Sequence, residues 1–286
     1  MFCLCGPIAS ADGLSDDIAR IVREADGSVG VAVVCGDDVL TLGHDTDYPM
    51  MSAFKLHVVL TALDRMRQRG ISTDSVVYIS PRHIRTDTYS PLRERYGVTR
   101  VALTYGDIIY YTLALSDNNT CDWLIEFIGG ASAAQRYIRS LGISPLTITD
   151  TERDMHRNIM NSYHNSSTPL AVAMLLRKVY TGRVLTPDHF AFFEKTLLDC
   201  QTGRDKLRAG LPESVPLAHK TGNSDRTVEG VKIADVDAGV IYLPDGRRCY
   251  LAVMIKDSRE SDSTNARLMA DIAAAVYRHL DLNKNM

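Results

Sequence analysis

Ser52-Ala53-Phe54-Lys55-Leu56-His57-Val58-Val59-Leu60 sets a hydroxyl and an amine three residues apart at the head of an apolar run. Read as a helix, the run puts positions i and i+3 on one face, so Ser52 and Lys55 point into the same small volume. A serine hydroxyl is a poor nucleophile near neutral pH, and a desolvated lysine of lowered pKa is one base that activates it. Taken alone, the tetrad reads more simply as a helix-start serine followed by a lysine whose stem packs on apolar surface. The flanking segments decide what kind of fold holds it.

Upstream, residues 14–24 carry the apolar stripe of a helix, with Ser15 as its N-cap. Residues 28–34 are β-branched and predict a buried strand, Gly36-Asp37-Asp38 a turn, and residues 39–42 a second strand. Downstream, helical spacing recurs over 55–67, 105–115, 120–128, 131–141 and 169–180. Strands return at 215–221, 233–242 and 249–256, with Pro244-Asp245-Gly246 as the hairpin turn between the last two. A closing helix spans 262–280. Strands at both ends with helices between predict an α/β chain of the α+β kind. Its antiparallel sheet is flanked by the terminal helices, and the helical block folds as an insertion beside it. The expected division is 14–50 with 201–286 as a discontinuous α/β lobe and 51–200 as a mostly helical lobe, with the active site in the cleft between them.

Two further triplets carry chemistry. Ser116-Asp117-Asn118 precedes an amphipathic helix; all three residues are good caps, but a second hydroxyl and a carboxamide could also relay a proton and hold a substrate amide. Lys220-Thr221-Gly222 ends a predicted strand; the glycine admits a ligand close to the backbone, and Lys with Thr can hold a carboxylate. S-x-x-K, S-D-N and K-T-G together are the signature of class A β-lactamases and penicillin-binding proteins. The chain therefore resembles the penicillin-recognising serine enzymes, and most closely the class A β-lactamases, over nearly its whole length.

That resemblance implies a five-stranded antiparallel sheet with flanking helices and an all-α lobe. It also implies an essential Glu on a loop after S-D-N. Here the loop reads Thr149-Asp150-Thr151-Glu152-Arg153-Asp154-Met155-His156. E-x-x-M-H resembles a divergent, extended-spectrum class A branch, many of whose members come from Bacteroidetes-type bacteria, in which His replaces the usual Asn. Glu152 is then the general base and His156 its loop partner, with Asp154 as the alternative acid. By the same resemblance Ser52 is the nucleophile, Lys55 or Glu152 its base, and Ser116 the proton donor to the lactam nitrogen, with Lys220 assisting. Tyr89 is a substrate-stacking residue, Asn118 holds the acylamide, Thr221 and Ser224 hold the ring carboxylate, and the backbone N–H groups of Ser52 and Asn223 hold the oxyanion. His219-Lys220-Thr221-Gly222-Asn223-Ser224-Asp225-Arg226 resembles that branch's H-K-T-G-x-x-D-R form, with Arg226 and Lys206 as further carboxylate candidates and Arg208 as a structural residue. The same three motifs occur in DD-peptidases and in sensor domains that are acylated and hold the adduct. A glutaminase on a related fold fits the loop and the Lys220 triplet less well.

Composition limits the other classes. The chain has 286 residues, 45% apolar and 23% charged, with a formal net charge of −3 and its charges interspersed. No basic stripe points to nucleic acid or a membrane surface, and no apolar run is long enough to span a bilayer. Cys35, Cys121, Cys200 and Cys249 show no C-x-x-C spacing and no paired His, which argues against zinc; they read either as buried thiols or as disulfide partners. No metal and no cofactor are expected, the partner is a small-molecule β-lactam, and the chain is expected to be a monomer. Residues 1–13, with Cys3, Cys5 and the small-residue pattern Ala9-Ser10-Ala11, read as the remnant of an export signal, which places the protein in the periplasm or outside the cell.

Overall fold

The computed structural model describes residues 11–43 and 46–282. Residues 1–10, on which most of the export-signal reading falls, lie outside the described residues. Helix α1 (Ala11–Val22) leads into strands β1 (Ser28–Cys35) and β2 (Asp38–Leu42). Strand β3 (Tyr48–Pro49) and a 3-10 turn at Met51–Phe54 precede helix α2 (Lys55–Arg69). The middle of the chain runs β4 (Val76–Ile79), α3 (Pro91–Tyr96), β5 (Val101–Thr104), α4 (Tyr105–Leu113), α5 (Asn118–Ile128) and α6 (Ala131–Ser140). Then come β6 (Leu146–Thr147), α7 (Glu152–Arg157), β7 (Ser166–Ser167), α8 (Pro169–Thr181) and α9 (Pro187–Leu198). Strands β8 (Leu217–Asn223), β9 (Lys232–Tyr242) and β10 (Arg248–Ser258) and helix α10 (Asp262–Leu282) follow.

Five strands form one sheet in the order β2-β1-β10-β9-β8, and every neighbouring pair is antiparallel. The register of β1 on β10 runs from Ser28 opposite Lys256 to Cys35 opposite Cys249, so the two ends of the chain meet in the middle of the sheet. Strand β1 is buried on both faces. Val31, Val33 and Cys35 share a cluster with Leu14 and Ile18 of α1 and Met269, Ile272 and Val276 of α10. Ala32 and Val34 join the other cluster, with Val172 and Leu176 of α8 and the helical block. A strand covered on both sides needs apolar residues at every position, which is why residues 28–34 run continuously instead of alternating.

Helix α2 is apolar almost all round: Leu56, Val58, Val59, Leu60, Ala62 and Leu63 are all buried, and α4, α5 and α6 pack against it. Such a helix is a core element. Its N-terminal turn comes out of that core against β8 and β9, which carries Ser52 and Lys55 to the junction of helices and sheet.

Several boundaries differ from the expected ones. Helix α1 starts at Ala11, so Ser15 lies inside it and caps nothing. Strand β8 continues to Asn223, because Lys220, Thr221 and Gly222 pair with Ala238, Asp237 and Val236 of β9; the triplet lies within the strand, not at its end. Helix α9 carries signals that the sequence reading passed over: Pro187 at its first turn and Thr186 accepting from the His189 N–H. Cys35, Cys121, Cys200 and Cys249 are free thiols, Cys200 the least buried. Among the described residues no helix is long and apolar enough to cross a membrane.

Candidate active site

Ser52 and Lys55 straddle the change from 3-10 turn to α-helix. In a 3-10 turn positions i and i+3 eclipse one another, and Lys55 Nζ donates to Ser52 Oγ at 3.0 Å. Lys55 is fully buried, yet oxygens surround it: the Ser116 carbonyl at 2.7 Å, Asn118 Oδ1 at 2.6 Å, Ser116 Oγ at 3.4 Å and Glu152 Oε1 at 2.9 Å. A buried ammonium is tolerated only with such partners. Ser52 Oγ in turn reaches Glu152 Oε1 at 3.5 Å.

The Ser116–Asn118 triplet divides its labour. Asp117 is the N-cap of α5, accepting from Thr120 N–H at 2.8 Å, while its other oxygen accepts from Ser90 Oγ and the Leu92 N–H. Its neighbours face the cleft. Ser116 has a left-handed backbone, φ 58, which turns its hydroxyl toward the Lys220 Nζ at 2.9 Å. Asn118 gives its oxygen to Lys55 and its amide hydrogens to Thr88 Oγ1 at 2.8 Å.

Glu152 opens a short helix, α7, capped by a Thr151–Asp154 capping box. The two acids point different ways: Asp154 accepts from the Thr151 N–H and hydroxyl, and Glu152 is the one turned toward Lys55. Asn165 closes the base of the segment, its Oδ1 accepting from the N–H groups of Thr149 and Asp150 and its Nδ2 donating to the Asp150 carbonyl. Asp122, one turn beyond Asn118 on α5, accepts from the N–H groups of Glu152 at 2.8 Å and Arg153 at 3.1 Å. Burial, then the neighbouring Glu152 charge, pushes the Asp122 carboxyl up to about 7. Asp122 escaped the sequence reading; its signal is the four-residue spacing from Asn118, which puts both on one helix face.

Strand β8 closes the third side. Gly222 lies so near the nucleophile's turn that a Cβ there would stand 2.4 Å from the Met50 carbonyl and 3.1 Å from the Ala53 nitrogen. We expect Gly222→Ala to push the strand off that turn, costing about 1–3 kcal/mol of stability and about 100-fold in kcat/KM through misplacement. Thermal melting and steady-state kinetics check it, and near-wild-type activity would contradict the close-approach argument. Lys220 is fully buried, bonded to Ser116 Oγ and to the Thr221 carbonyl at 2.8 Å. Burial, and then the charge of Lys55, lowers its ammonium to about 7.

The cleft has a volume of about 820 Å³, and Ser52, Tyr89, Ser116, Asn118, Glu152, His156, Thr221 and Asn223 all border it. Tyr89 is 54% exposed at its mouth. Three expectations need correction. His156 does not partner Glu152; its side chain, 44% exposed, stands across the mouth from Asp87, Nε2 to Oδ2 at 3.6 Å. Ser224 does not border the cleft: its hydroxyl donates to the Asp225 carbonyl and accepts from the Ala234 N–H, bracing the β8–β9 connection. Arg226 is spent on the Gly230 and Glu260 carbonyls and on Asp262. Lys206 borders the cleft but is paired with Asp235. Arg208 donates to the carbonyls of Val215, Leu211 and Pro212 and so ties a loop. Thr88 and Thr202, also on the cleft wall, were not singled out in the sequence.

Together these groups form an unbroken chain of proton carriers beside one activated hydroxyl, an arrangement suited to acyl transfer through a covalent serine ester. Over residues 13–280 the chain matches the beta-lactamase enzyme family. A beta-lactamase of Bacteroides uniformis is 38% identical over 266 residues, covering 92% of this chain and 90% of its own. The extended-spectrum beta-lactamase PER-1 of Pseudomonas aeruginosa is 32% identical over 267 residues, covering 93% of this chain and 86% of its own. Among solved structures, a class A beta-lactamase from Bacteroides cellulosilyticus superposes with a TM-score of 0.93 at 36% identity, covering 95% of this chain and 98% of its own. The TLA-3 extended-spectrum beta-lactamase gives 0.93 at 33% identity, with 95% and 100% covered.

Proposed function

This chain belongs to the class A serine β-lactamases, and we propose that Ser52 opens the β-lactam ring and Glu152 frees it again. The observation that carries the assignment is the continuous contact from Ser52 Oγ through Lys55 Nζ to Glu152 Oε1 on one side and through Ser116 Oγ to Lys220 Nζ on the other. Ser52 Oγ attacks the lactam carbonyl. The Ser52 proton goes to Lys55 Nζ at 3.0 Å, or through a water to Glu152. The oxyanion lies between the backbone N–H groups of Ser52 and Asn223, donors worth about 3–4 kcal/mol each in such sites. Ser116 passes a proton to the departing nitrogen, and Lys220 at 2.9 Å makes that proton easier to release. Asn118 and Tyr89 hold the acylamide side chain, and Thr221 with Lys220 holds the ring carboxylate; Ser224 has no part. Glu152, held by Asp122, then takes a proton from the water that cleaves the ester.

Sustained turnover of a chromogenic cephalosporin tests the reading, since a DD-peptidase or a sensor domain is labelled once and stops. The Lys220 charge adds a pH test. A lysine lowered to about 7 is charged below that value and neutral above it. We therefore expect KM for a carboxylate-bearing β-lactam to rise as pH passes about 7; a KM that is flat from acid to alkaline pH would count against Lys220 as a carboxylate partner. The altered Glu152 segment and the similarity to extended-spectrum enzymes favour cephalosporins among the substrates, which a panel of a penicillin, a cephalosporin and a carbapenem would resolve. We place the enzyme in the periplasm or outside the cell on the strength of the Ala9-Ser10-Ala11 pattern, and read it as a monomer because a single chain supplies the groups that line the cleft; fractionation and size-exclusion measurements check the two.

A further inference from the structure

From Thr221 inward runs a row of polar groups that the reaction described above does not use. Asp237 Oδ1 meets His219 Nδ1 at 2.9 Å, both residues buried. His219 is also hydrogen-bonded to the Cys200 thiol. Cys200 Sγ lies 3.4 Å from Thr202 Oγ1 and 3.7 Å from the Thr202 carbonyl. Thr202 Oγ1 is 2.6 Å from Thr221 Oγ1. The connector carrying Cys200 and Thr202 is held from both sides: the Gln201 N–H donates to the Ala114 carbonyl beside Ser116. Gly203 keeps it close, since a Cβ there would stand 2.5 Å from Thr221 Cγ2. The row thus ends at a hydroxyl on the cleft wall.

A hydroxyl has one proton to give. Of Thr202 and Thr221, one donates to the other, and the direction follows from what else each must satisfy. A thiolate at Cys200 only accepts, so the Thr202 hydroxyl donates its hydrogen bond to the sulfur. Thr202 Oγ1 then accepts from Thr221, whose single proton is committed away from the cleft. A neutral thiol donates its own proton to the Thr202 carbonyl, which frees Thr202 to donate to Thr221. The Thr221 proton then turns toward the substrate.

We propose that Cys200 is a positioning residue: its protonation state sets the direction of the Thr202–Thr221 hydrogen bond, and with it whether Thr221 can donate to the substrate carboxylate. The proposal rests on the reading of Thr221 as a carboxylate partner. The charged groups facing the thiol are His219 and Lys220 from β8; Asp237 of β9 holds His219, and Lys55 and Glu152 lie beyond Lys220. Burial raises the thiol, but His219 and then Lys220 bring it down to about 7. Burial also opposes the His219 charge, yet Asp237 and then Cys200 lift that imidazole to about 10. The thiol therefore changes state near neutral pH while His219 stays cationic.

The test is KM for a carboxylate-bearing β-lactam from pH 5.5 to 8.5 in wild type, Cys200→Ser, Thr202→Val and Thr221→Val. Lys220 discharges over the same range, so the wild-type curve alone does not isolate the relay; ratios do. A serine at 200 keeps its proton throughout, and a valine at 202 cuts the relay while leaving the thiol in place. We expect the KM ratio of wild type to either variant to rise about tenfold from acid to alkaline pH, the worth of one hydrogen bond to a charged group. If only the Lys220 charge mattered, the ratio to Thr202→Val would stay flat. The ratio to Cys200→Ser would fall, because losing the thiolate weakens the hold of Lys220 on its proton. Flat or falling ratios overturn the proposal. Thr221→Val separates the two layers: an acid-pH KM raised about tenfold supports Thr221 as a carboxylate partner, and an unchanged one removes that reading and the relay together. The ultraviolet absorbance of the thiolate in native wild type must share its midpoint with the ratios, a requirement that holds even if a variant fails to fold.

Discussion

Ser52→Ala is expected to lose about 10⁵- to 10⁶-fold in kcat/KM toward any β-lactam the wild type hydrolyses, the scale seen when a serine nucleophile is removed from a coupled set. The size follows from how the site is built. Ser52 Oγ has the Lys55 Nζ at 3.0 Å and a Glu152 oxygen at 3.5 Å. The other hydroxyl within reach, on Ser116, receives from both Lys220 and Lys55 and has no carboxylate beside it to take its proton. It is therefore a poor substitute nucleophile. Intact-protein mass spectrometry makes the result specific: Ser52→Ala should show no acyl adduct with a slow substrate, and a stable adduct elsewhere in the cleft would sink the assignment.

Glu152→Gln should do the reverse and make the adduct accumulate. The substitution keeps the side-chain shape and an acceptor for Lys55, so the nucleophile's surroundings persist. What it removes is the group that takes a proton from the attacking water. Loss of a general base slows such a step by about 10²–10⁴-fold. We expect a burst of about one equivalent of opened lactam, followed by a deacylation rate reduced on that scale, with the ester on Ser52 visible by mass. Full turnover by Glu152→Gln would mean that another group frees the ester, and Asp122, joined to the same backbone by two hydrogen bonds, would be the next to examine.

The parts of the site legible in the sequence are those set by local geometry. Ser52 and Lys55 meet because three residues of helical turn bring them together, and the Lys220 triplet serves the site from one short stretch of strand, Lys220 reaching Ser116 Oγ and Thr221 standing on the cleft wall. The sheet was legible for a related reason: a β-branched run near each end of the chain needs cover on both faces. Long-range packing hid the rest. Nothing near Asp122 shows that a segment 30 residues later will end on it. Ser224 follows the cleft-lining Asn223 directly and invites a place in the same cleft, but the turn toward β9 folds its hydroxyl into the backbone. His156 sits on the expected segment, yet its α7 position turns it to the mouth and to Asp87. The Ser116-Asp117-Asn118 triplet splits between two settings: Asp117 caps α5, and its neighbours line the cleft.

The pairing of β1 with β10 has a consequence for how the enzyme comes into being. Strand β1 leaves the ribosome long before β10, and each is the other's neighbour in the sheet. Until β10 exists, β1 and β2 form a lone hairpin with one open, apolar edge, the kind of surface that seeks any available strand. The reacting groups are just as scattered, with 100 positions between Ser52 and Glu152 and 104 between Ser116 and Lys220. Closure over such separations is slow compared with helix formation. During refolding the helical signal should therefore return well before hydrolysis does, and a growing chain needs its open edge guarded until the final hairpin arrives.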